Sequence, residues 1–279
     1  MHTVGEVVSL ARQRLDTLSE SAILDSQVLV AHIINRKRAW LLAHPEAELS
    51  EVQEEDFEAA LARLESGEPL PYVLGEWEFY GLSFALSADV LIPRPETELL
   101  VDAAITWLKG HPSRRRAADV GAGSGCIAVS LAVNVADLYV LATDISNEAL
   151  DVVRSNVERH AVGERVRLQQ GDLLREVAGE FDLICANLPY IATETLKTLA
   201  VYGREPTQAL DGGERGLKFI AALLNDAPRR LAPQGLMLLE IDATQGDAAS
   251  DLAVHAFPRA AIEVQTDLNG QARLLRIQI

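Results

Sequence analysis

The stretch that decides the fold reads Asp119-Val120-Gly121-Ala122-Gly123-Ser124-Gly125-Cys126. A short apolar run, Ala117–Val120, leads into it, and a helical pattern follows. Alternating glycines let the backbone turn sharply and let a ligand come close to the main chain. The first turn of the following helix supplies unpaired N–H groups. The next apolar run, Leu138–Thr143, ends at Asp144. An acid at a second strand end, roughly 20 residues beyond the first glycine, is placed to accept hydrogen bonds from a ribose diol. Asp144 can also cap the helix that contains Glu148 and Leu150, and the two roles do not exclude each other.

Outward from this loop the pattern alternates. Apolar runs recur at Val166–Gln169, Phe181–Ala186 and Leu236–Ile241, mostly with helical segments between them. That is βαβ patterning, and it predicts a mostly parallel sheet with helices on both faces. At the carboxyl end, Ala261–Thr266 and Ala272–Ile279 are joined through Asn269-Gly270, a hairpin signal, so an antiparallel pair should close the sheet. The amino-terminal part has helical spacing instead: Val4, Val7, Val8, Ala11, Leu15 and Leu18, then Ile23, Leu24, Val28, Ala31 and Ile34. Ser50 and Gln53 form a capping-box pattern ahead of Phe57, Ala60, Leu61 and Leu64, with Gly67 as the stop. Pro69 and Pro71 should break the helix, and Tyr72–Ala85 reads as a short β-hairpin between two domains. Thr97–Lys109 reads as a helix. The expected organisation is a helical domain over 1–72, a hairpin linker over 73–90 and an α/β domain over 91–279.

The 279 residues carry 25 Lys and Arg against 41 Asp and Glu, a net charge of −16. Residues 1–72 hold 6 basic and 13 acidic side chains, and Glu54-Glu55-Asp56 reads as solvated helix face. Such a chain is poorly suited to grip nucleic acid or an anionic membrane by charge. The basic triplets Arg36-Lys37-Arg38 and Arg114-Arg115-Arg116 are too short to change that and read as solvated loops. Two cysteines, Cys126 and Cys185, make neither a disulfide framework nor a zinc site and read as buried thiols. None of the six His residues has metal-ligand spacing or a neighbouring nucleophile, so no metal or hydrolase site is expected. No signal peptide and no membrane-length apolar run is evident, and a cytoplasmic location is expected.

The loop chemistry selects a ligand class. A dinucleotide fingerprint wants a third glycine where Cys126 stands, and Asp119 before the loop would repel a pyrophosphate. Asp119 suits a cation. S-adenosylmethionine carries a sulfonium and an ammonium group and no phosphate, so the pattern favours a methyl donor over NAD. The closing antiparallel hairpin is similar to that of class I methyltransferase sheets.

The run Phe181–Ala186 passes directly into Asn187-Leu188-Pro189-Tyr190. In an open α/β sheet, ligands bind beyond the carboxyl ends of the strands, so this tetrapeptide should face the glycine loop. An amide or exocyclic amine nitrogen is a poor nucleophile because its lone pair is delocalised. Asn187 can accept a hydrogen bond through its side-chain oxygen. Leu188 precedes a proline, which holds its backbone extended and fixes its carbonyl. Two acceptors can then hold both hydrogens of an –NH2 group, and Tyr190 offers a flat face to a planar amide or base. Orientation, not a strong base, would carry the rate.

The chain resembles the HemK-type (PrmC) family of peptide-chain release factor glutamine N5-methyltransferases. The matching residues are Leu91-Ile92-Pro93-Arg94-Pro95-Glu96-Thr97-Glu98, Asp119–Gly125 with Cys126-Ile127-Ala128, Asp144-Ile145-Ser146, Gly171-Asp172-Leu173-Leu174, Asn187–Tyr190 with Ile191, Glu205-Pro206, Ala209–Gly213 and Leu239-Glu240-Ile241. Trp40–Pro45 and Pro71–Gly75 also resemble the family. The resemblance implies a class I S-adenosylmethionine-dependent, Rossmann-like fold with a small amino-terminal helical domain that engages the release factor in translation termination. It implies methylation of the glutamine of a Gly-Gly-Gln tip. It places Gly121, Ala122, Gly123, Ser124, Gly125, Asp144, Asp172, Leu173 and Asn187 at the donor, and Asn187, Leu188, Pro189 and Tyr190 at the substrate glutamine. Two positions depart from the family: Leu188 stands where proline is usual, and Arg204 where tyrosine commonly precedes Glu-Pro. Asn-Leu-Pro-Tyr also occurs in rRNA adenine dimethyltransferases, so the alternative is N6-adenine methylation of RNA or DNA. The expected partner is a release factor, with no direct nucleic acid and no membrane.

Overall fold

Seven strands form one sheet, and the site lies along one of its ends. A computed structural model describes residues 2–279 of the chain. It divides into two compact units, 1–76 and 77–279, with the boundary after Glu76.

The first unit contains α1 (Val4–Leu15), α2 (Ala22–Ile33), α3 (Arg38–Ala43), α4 (Glu51–Glu65) and α5 (Leu70–Leu74). Reciprocal capping boxes open α1 (Thr3 with Glu6) and α4 (Ser50 with Gln53). Each such cap is worth on the order of 1 kcal/mol. Their apolar stripes, including Val7, Ala11, Leu29, Phe57 and Leu61, are buried. The prolines expected to end helical structure begin some instead. Pro69 is the N-cap of α5 and Pro71 sits in its first turn, where a missing N–H costs nothing. Gly75 ends it in the left-handed conformation.

A hairpin follows at the boundary, β1 (Glu76–Phe79) and β2 (Leu82–Ala85), turning at Tyr80-Gly81 with positive φ at both residues. Then come α6 (Glu98–Gly110), β3 (Arg116–Val120), α7 (Cys126–Asn134), β4 (Tyr139–Asp144), α8 (Asn147–Arg159), β5 (Val166–Gln170), β6 (Phe181–Ala186), α9 (Thr193–Leu196), α10 (Lys218–Asp226), β7 (Leu231–Glu240), α11 (Gly246–Ala256), β8 (Ala261–Thr266) and β9 (Ala272–Gln278). The strand order is β5-β4-β3-β6-β7-β9-β8. The five strands from β5 to β7 are parallel, and β9 runs antiparallel to both neighbours. Strand β7 starts at Leu231, five residues before its apolar run, because Leu231 still pairs with Phe181 across an irregularity. The closing turn centres on Asp267, whose side chain accepts from the N–H groups of Asn269 and Gln271. Only Gly270 of the Asn-Gly pair has positive φ.

Both sheet faces are covered, which explains the unbroken apolar strands. Ala117, Leu183, Leu236 and Leu238 face one core with α6 and α7; Ala118, Ile184, Met237 and Leu239 face the other with α10 and α11. Arg36, Lys37 and Arg38 are exposed, as read, whereas the 114–116 segment is tied down. Arg114 pairs with Asp182 at 2.9 Å and Arg115 with Asp137 at 2.6 Å, while Arg116 lies over the Phe181 ring. Arg36 lies over Trp40.

Candidate active site

The sheet order reverses direction at β3: the chain steps from β3 to β4 on one side and later to β6 on the other. Ligand sites in such sheets lie at this switch, beyond the carboxyl ends of the strands. Four adjacent ends meet there: Gly121 after β3, Asp144 at the end of β4, Gly171-Asp172 after β5 and Asn187 after β6.

The glycine loop is a backbone structure. The N–H groups of Gly121 and Ala122 both donate to the Thr143 carbonyl at 2.9 Å. Gly121, Gly123 and Gly125 all have positive φ. A Cβ on Gly125 would stand 2.8 Å from Val153, and one on Gly121 2.8 Å from Leu188, so both are needed for close packing. A Cβ on Gly123 would meet nothing within 4 Å, so the loop is open there. Ala122 and Ser124 are buried, so their side chains are not presented on the surface. Asn156 of α8, fully buried, clamps this arrangement. Its Nδ2 donates to the carbonyls of Ser124 (2.9 Å) and Ala85 (3.0 Å), and its Oδ1 accepts from the Ala85 N–H (2.7 Å). Hairpin and loop are thus tied to one side chain.

Asp144 accepts from the N–H of Gly123 (2.9 Å) and of Ser146 (3.0 Å). It does not cap α8; Ser146 does, accepting from Ala149. Each carboxylate oxygen of Asp144 keeps a lone pair for a further donor. Asp172 is paired with Arg175, and Leu173 has positive φ (55°), a strained conformation for leucine. Gly171 donates to the Asp144 carbonyl at 3.0 Å, which brings these two ends together.

Asp119 differs from expectation in its direction. It is fully buried beneath the loop, and its Oδ2 accepts from the Ala128 N–H in the first turn of α7 at 2.9 Å. Its Oδ1 is buried with no hydrogen-bond partner among the described residues. Burial, with a contribution from Asp144, raises its pKa to about 7. Residues 119–126 contain no Lys or Arg. An orphaned carboxylate oxygen, a second acid and an open glycine fit a cationic, ribose-bearing ligand and not a pyrophosphate.

On the other side of the switch, the pairing Val120↔Ala186↔Leu239 sets Gly121, Asn187 and Glu240 in line one residue further on. Ala186 and Leu239 face the second core, so alternation turns Asn187 and Glu240 to the α6 face. There the Asn187 Nδ2 donates to the Thr97 Oγ1 (3.0 Å), the Thr97 hydroxyl donates to Glu240 Oε2 (2.7 Å), and the Tyr190 hydroxyl donates to Glu240 Oε1 (3.1 Å). Burial pushes the Glu240 carboxyl up, opposed by these two hydroxyls and Arg273. Burial, then Glu240, pushes the Tyr190 phenol up as well. Behind Thr97, Glu205 accepts from the Arg94 guanidinium (2.5 Å) and the Ile92 N–H (3.1 Å). Arg204, the departure from the family pattern, is exposed beside it.

The tetrapeptide backbone is packed from behind. The Gln245 side chain donates to the Tyr190 carbonyl at 2.8 Å. The Ile191 N–H donates to the Leu210 carbonyl (3.1 Å), and the Gly212 N–H donates to the Ile191 carbonyl (2.8 Å). A Cβ on Gly212 would stand 2.7 Å from the Pro189 carbonyl, and one on Gly216 2.1 Å from that of Tyr190. Leu188 is 4% exposed, its side chain against Gly121. Thr97, Glu240, Glu205, Asn156 and Gln245 carry this geometry, and no sequence signal assigned them a role. Thr97, Glu205 and Glu240 did stand within the segments that carried the family resemblance.

This fold, with a glycine loop and two acids at the switch of a β5-β4-β3-β6-β7-β9-β8 sheet, is that of a class I methyltransferase whose methyl donor is S-adenosylmethionine. Family models agree: residues 6–75 match the PrmC N-terminal domain and 96–203 the methyltransferase small domain. A methyltransferase from Pyrococcus furiosus is similar in fold, with a TM-score of 0.52 at 18% identity over 82% of this chain and 98% of that one. Among curated relatives, the release factor glutamine methyltransferase of Nitratidesulfovibrio vulgaris is 37% identical over 98% of this chain and 94% of its own length. That of Bordetella pertussis is 40% identical over 90% and 93% respectively. The chain belongs to the release factor glutamine methyltransferase family.

Proposed function

We propose that the chain methylates the side-chain amide nitrogen of the glutamine in the Gly-Gly-Gln motif of bacterial release factors. The observation that carries this reading is the polarity of Asn187. Its Nδ2 is committed to Thr97, and its Oδ1, on a half-buried side chain, has no partner among the described residues and is not sealed from solvent, so it is open as an acceptor. An acceptor there suits a substrate –NH2. The Leu188 carbonyl, held extended by Pro189 and reached by no protein donor, is the second acceptor. The two hold the amide hydrogens so that the nitrogen lone pair points toward the glycine loop, and Tyr190 supports the amide plane. Gly121–Gly125, Asp144, Asp172 and Leu173 hold the donor, with Asp119 supplying negative charge from below. S-adenosylmethionine, when bound, supplies an electrophilic methyl group. Alignment and exclusion of water lower the barrier, and effective molarities in such geometries are worth up to about 7–11 kcal/mol.

The helical unit is the surface for the release factor. It carries exposed Ile23 and Leu24 with Arg12, Arg38, Asp16 and Glu20 around a concavity of about 580 Å³. The net charge of −16 supports a protein substrate over direct nucleic-acid binding, and a cytoplasmic enzyme fits this substrate. No helix among the described residues is long and apolar enough to cross a membrane. The test is incubation with methyl-labelled donor and, in parallel, a release factor and adenine-containing RNA. Label entering the release factor is expected; label entering only the RNA would favour the adenine reading.

A further inference from the structure

The buried Thr97–Glu240 pair sits outside the tetrapeptide, yet it decides what the tetrapeptide presents. Thr97 is 2% exposed and Glu240 1%, so neither can exchange partners with solvent. A threonine hydroxyl has one proton. Here that proton goes to the Glu240 carboxylate at 2.7 Å. Toward Asn187 the same oxygen is then an acceptor only. Of the two ends of the Asn187 amide, only the –NH2 can satisfy it, and this is the contact at 3.0 Å. The carbonyl end is thereby turned to the crevice. The other carboxylate oxygen takes the Tyr190 hydroxyl, so one buried acid orders both polar members of the tetrapeptide.

We infer that Thr97 and Glu240 are positioning residues: a polarity relay that locks Asn187 as a hydrogen-bond acceptor and so selects –NH2-bearing acceptors over carboxylates. This rests on the functional reading above. Without the relay the Asn187 amide is free to rotate, and half of its orientations offer a donor where the substrate also offers donors. A carboxylate in the substrate's place would be repelled by the locked acceptor and tolerated by the free one.

The relay is tested with Thr97→Val, which keeps the shape and loses the hydroxyl, and Thr97→Ser, which keeps the hydroxyl. The readouts are turnover on a release factor, donor affinity by calorimetry, and affinity for a release factor bearing Glu at the acceptor glutamine. Thr97→Val is expected to lower kcat by about 10–100-fold, the scale for one misassigned buried hydrogen bond. Donor affinity should stay within about threefold, and preference for Gln over Glu should shrink by about tenfold. Thr97→Ser should hold both kcat and preference within about threefold of wild type. Unchanged kcat and preference in a folded Thr97→Val protein would overturn the relay. So would an inactive Thr97→Ser protein that still binds donor, and this second result stands even if Thr97→Val does not fold. Wild-type protein inactive on every release factor tested would overturn the functional reading instead.

Discussion

The two halves of the crevice are built differently. The half proposed to hold the methyl donor is main chain: three glycines, two N–H groups on the Thr143 carbonyl and a helix start, all within residues 119–128, with Asp144 and Asn156 bracing them. The half proposed to hold the substrate amide is side chain. Thr97, Asn187, Tyr190 and Glu240 come together from separations of 90, 143 and 50 residues. The difference teaches that a cofactor with a fixed shape can be held by a contiguous loop. Presenting a single lone pair to a protein substrate takes a buried network, whose members depend on one another.

The sharpest way to break this contrast is Asn187→Ala. It removes the presented acceptor and leaves the glycine loop intact, so turnover should fall by about 10²–10³ or more while donor affinity falls far less. Single-turnover kinetics beside calorimetry would show the split; equal losses in both would mean that Asn187 belongs to the donor half. On the other side, Asp144→Ala should weaken donor binding by roughly 1–3 kcal/mol, since a carboxylate acceptor for ligand and loop is lost. Calorimetry showing unchanged affinity in folded protein would remove Asp144 from the site.

Leu188 lies on the seam between the halves. Leu188→Pro keeps the carbonyl and vacates the space against Gly121, so turnover should change by less than about tenfold. A stability loss of about 1–3 kcal/mol from the partial cavity should accompany it, measured by denaturant titration. A switch of acceptor from glutamine to adenine would show that the leucine side chain takes part in recognition.

A last effect, on stability and not on turnover, concerns Asp119. A carboxyl whose pKa is raised on folding binds more protons folded than unfolded between the two values. Stability of the ligand-free protein should therefore fall as pH rises from about 4 to about 7, and Asp119→Asn should remove that slope. Thermal melting across this range would check it; parallel curves for the two proteins would mean that the orphaned oxygen is compensated.

The same contrast explains what was legible in the sequence. Strands buried on both faces leave largely apolar runs, so β3, β4 and β6 could be read nearly to the residue, and the glycine loop and Asp144 with them; the more exposed β8 and β9 were legible from the Asn269-Gly270 turn between them. The helical caps at Ser50 and Gln53 were local and equally plain. Asp119 was visible as an acid but not in its direction, because alternation along β3 turns it under the first turn of α7, beneath the glycine loop. Glu240 stood inside the apolar run Leu236–Ile241 with nothing local to mark it. Only the β6–β7 register sets it beside Asn187. Glu205 and Thr97 were hidden for the same reason: their partners are fixed by sheet order and not by spacing along the chain. Pro69 and Pro71 misled because proline starts a helix as readily as it ends one.

The central claim is that the crevice presents acceptors to a glutamine amide. Tandem mass spectrometry of a release factor treated with wild-type enzyme and labelled methyl donor tests it most directly. One methyl group on the side-chain nitrogen of the Gly-Gly-Gln glutamine, absent with Asn187→Ala, is the predicted result. A methyl group on any other atom of the release factor, or undiminished labelling by Asn187→Ala, would contradict it.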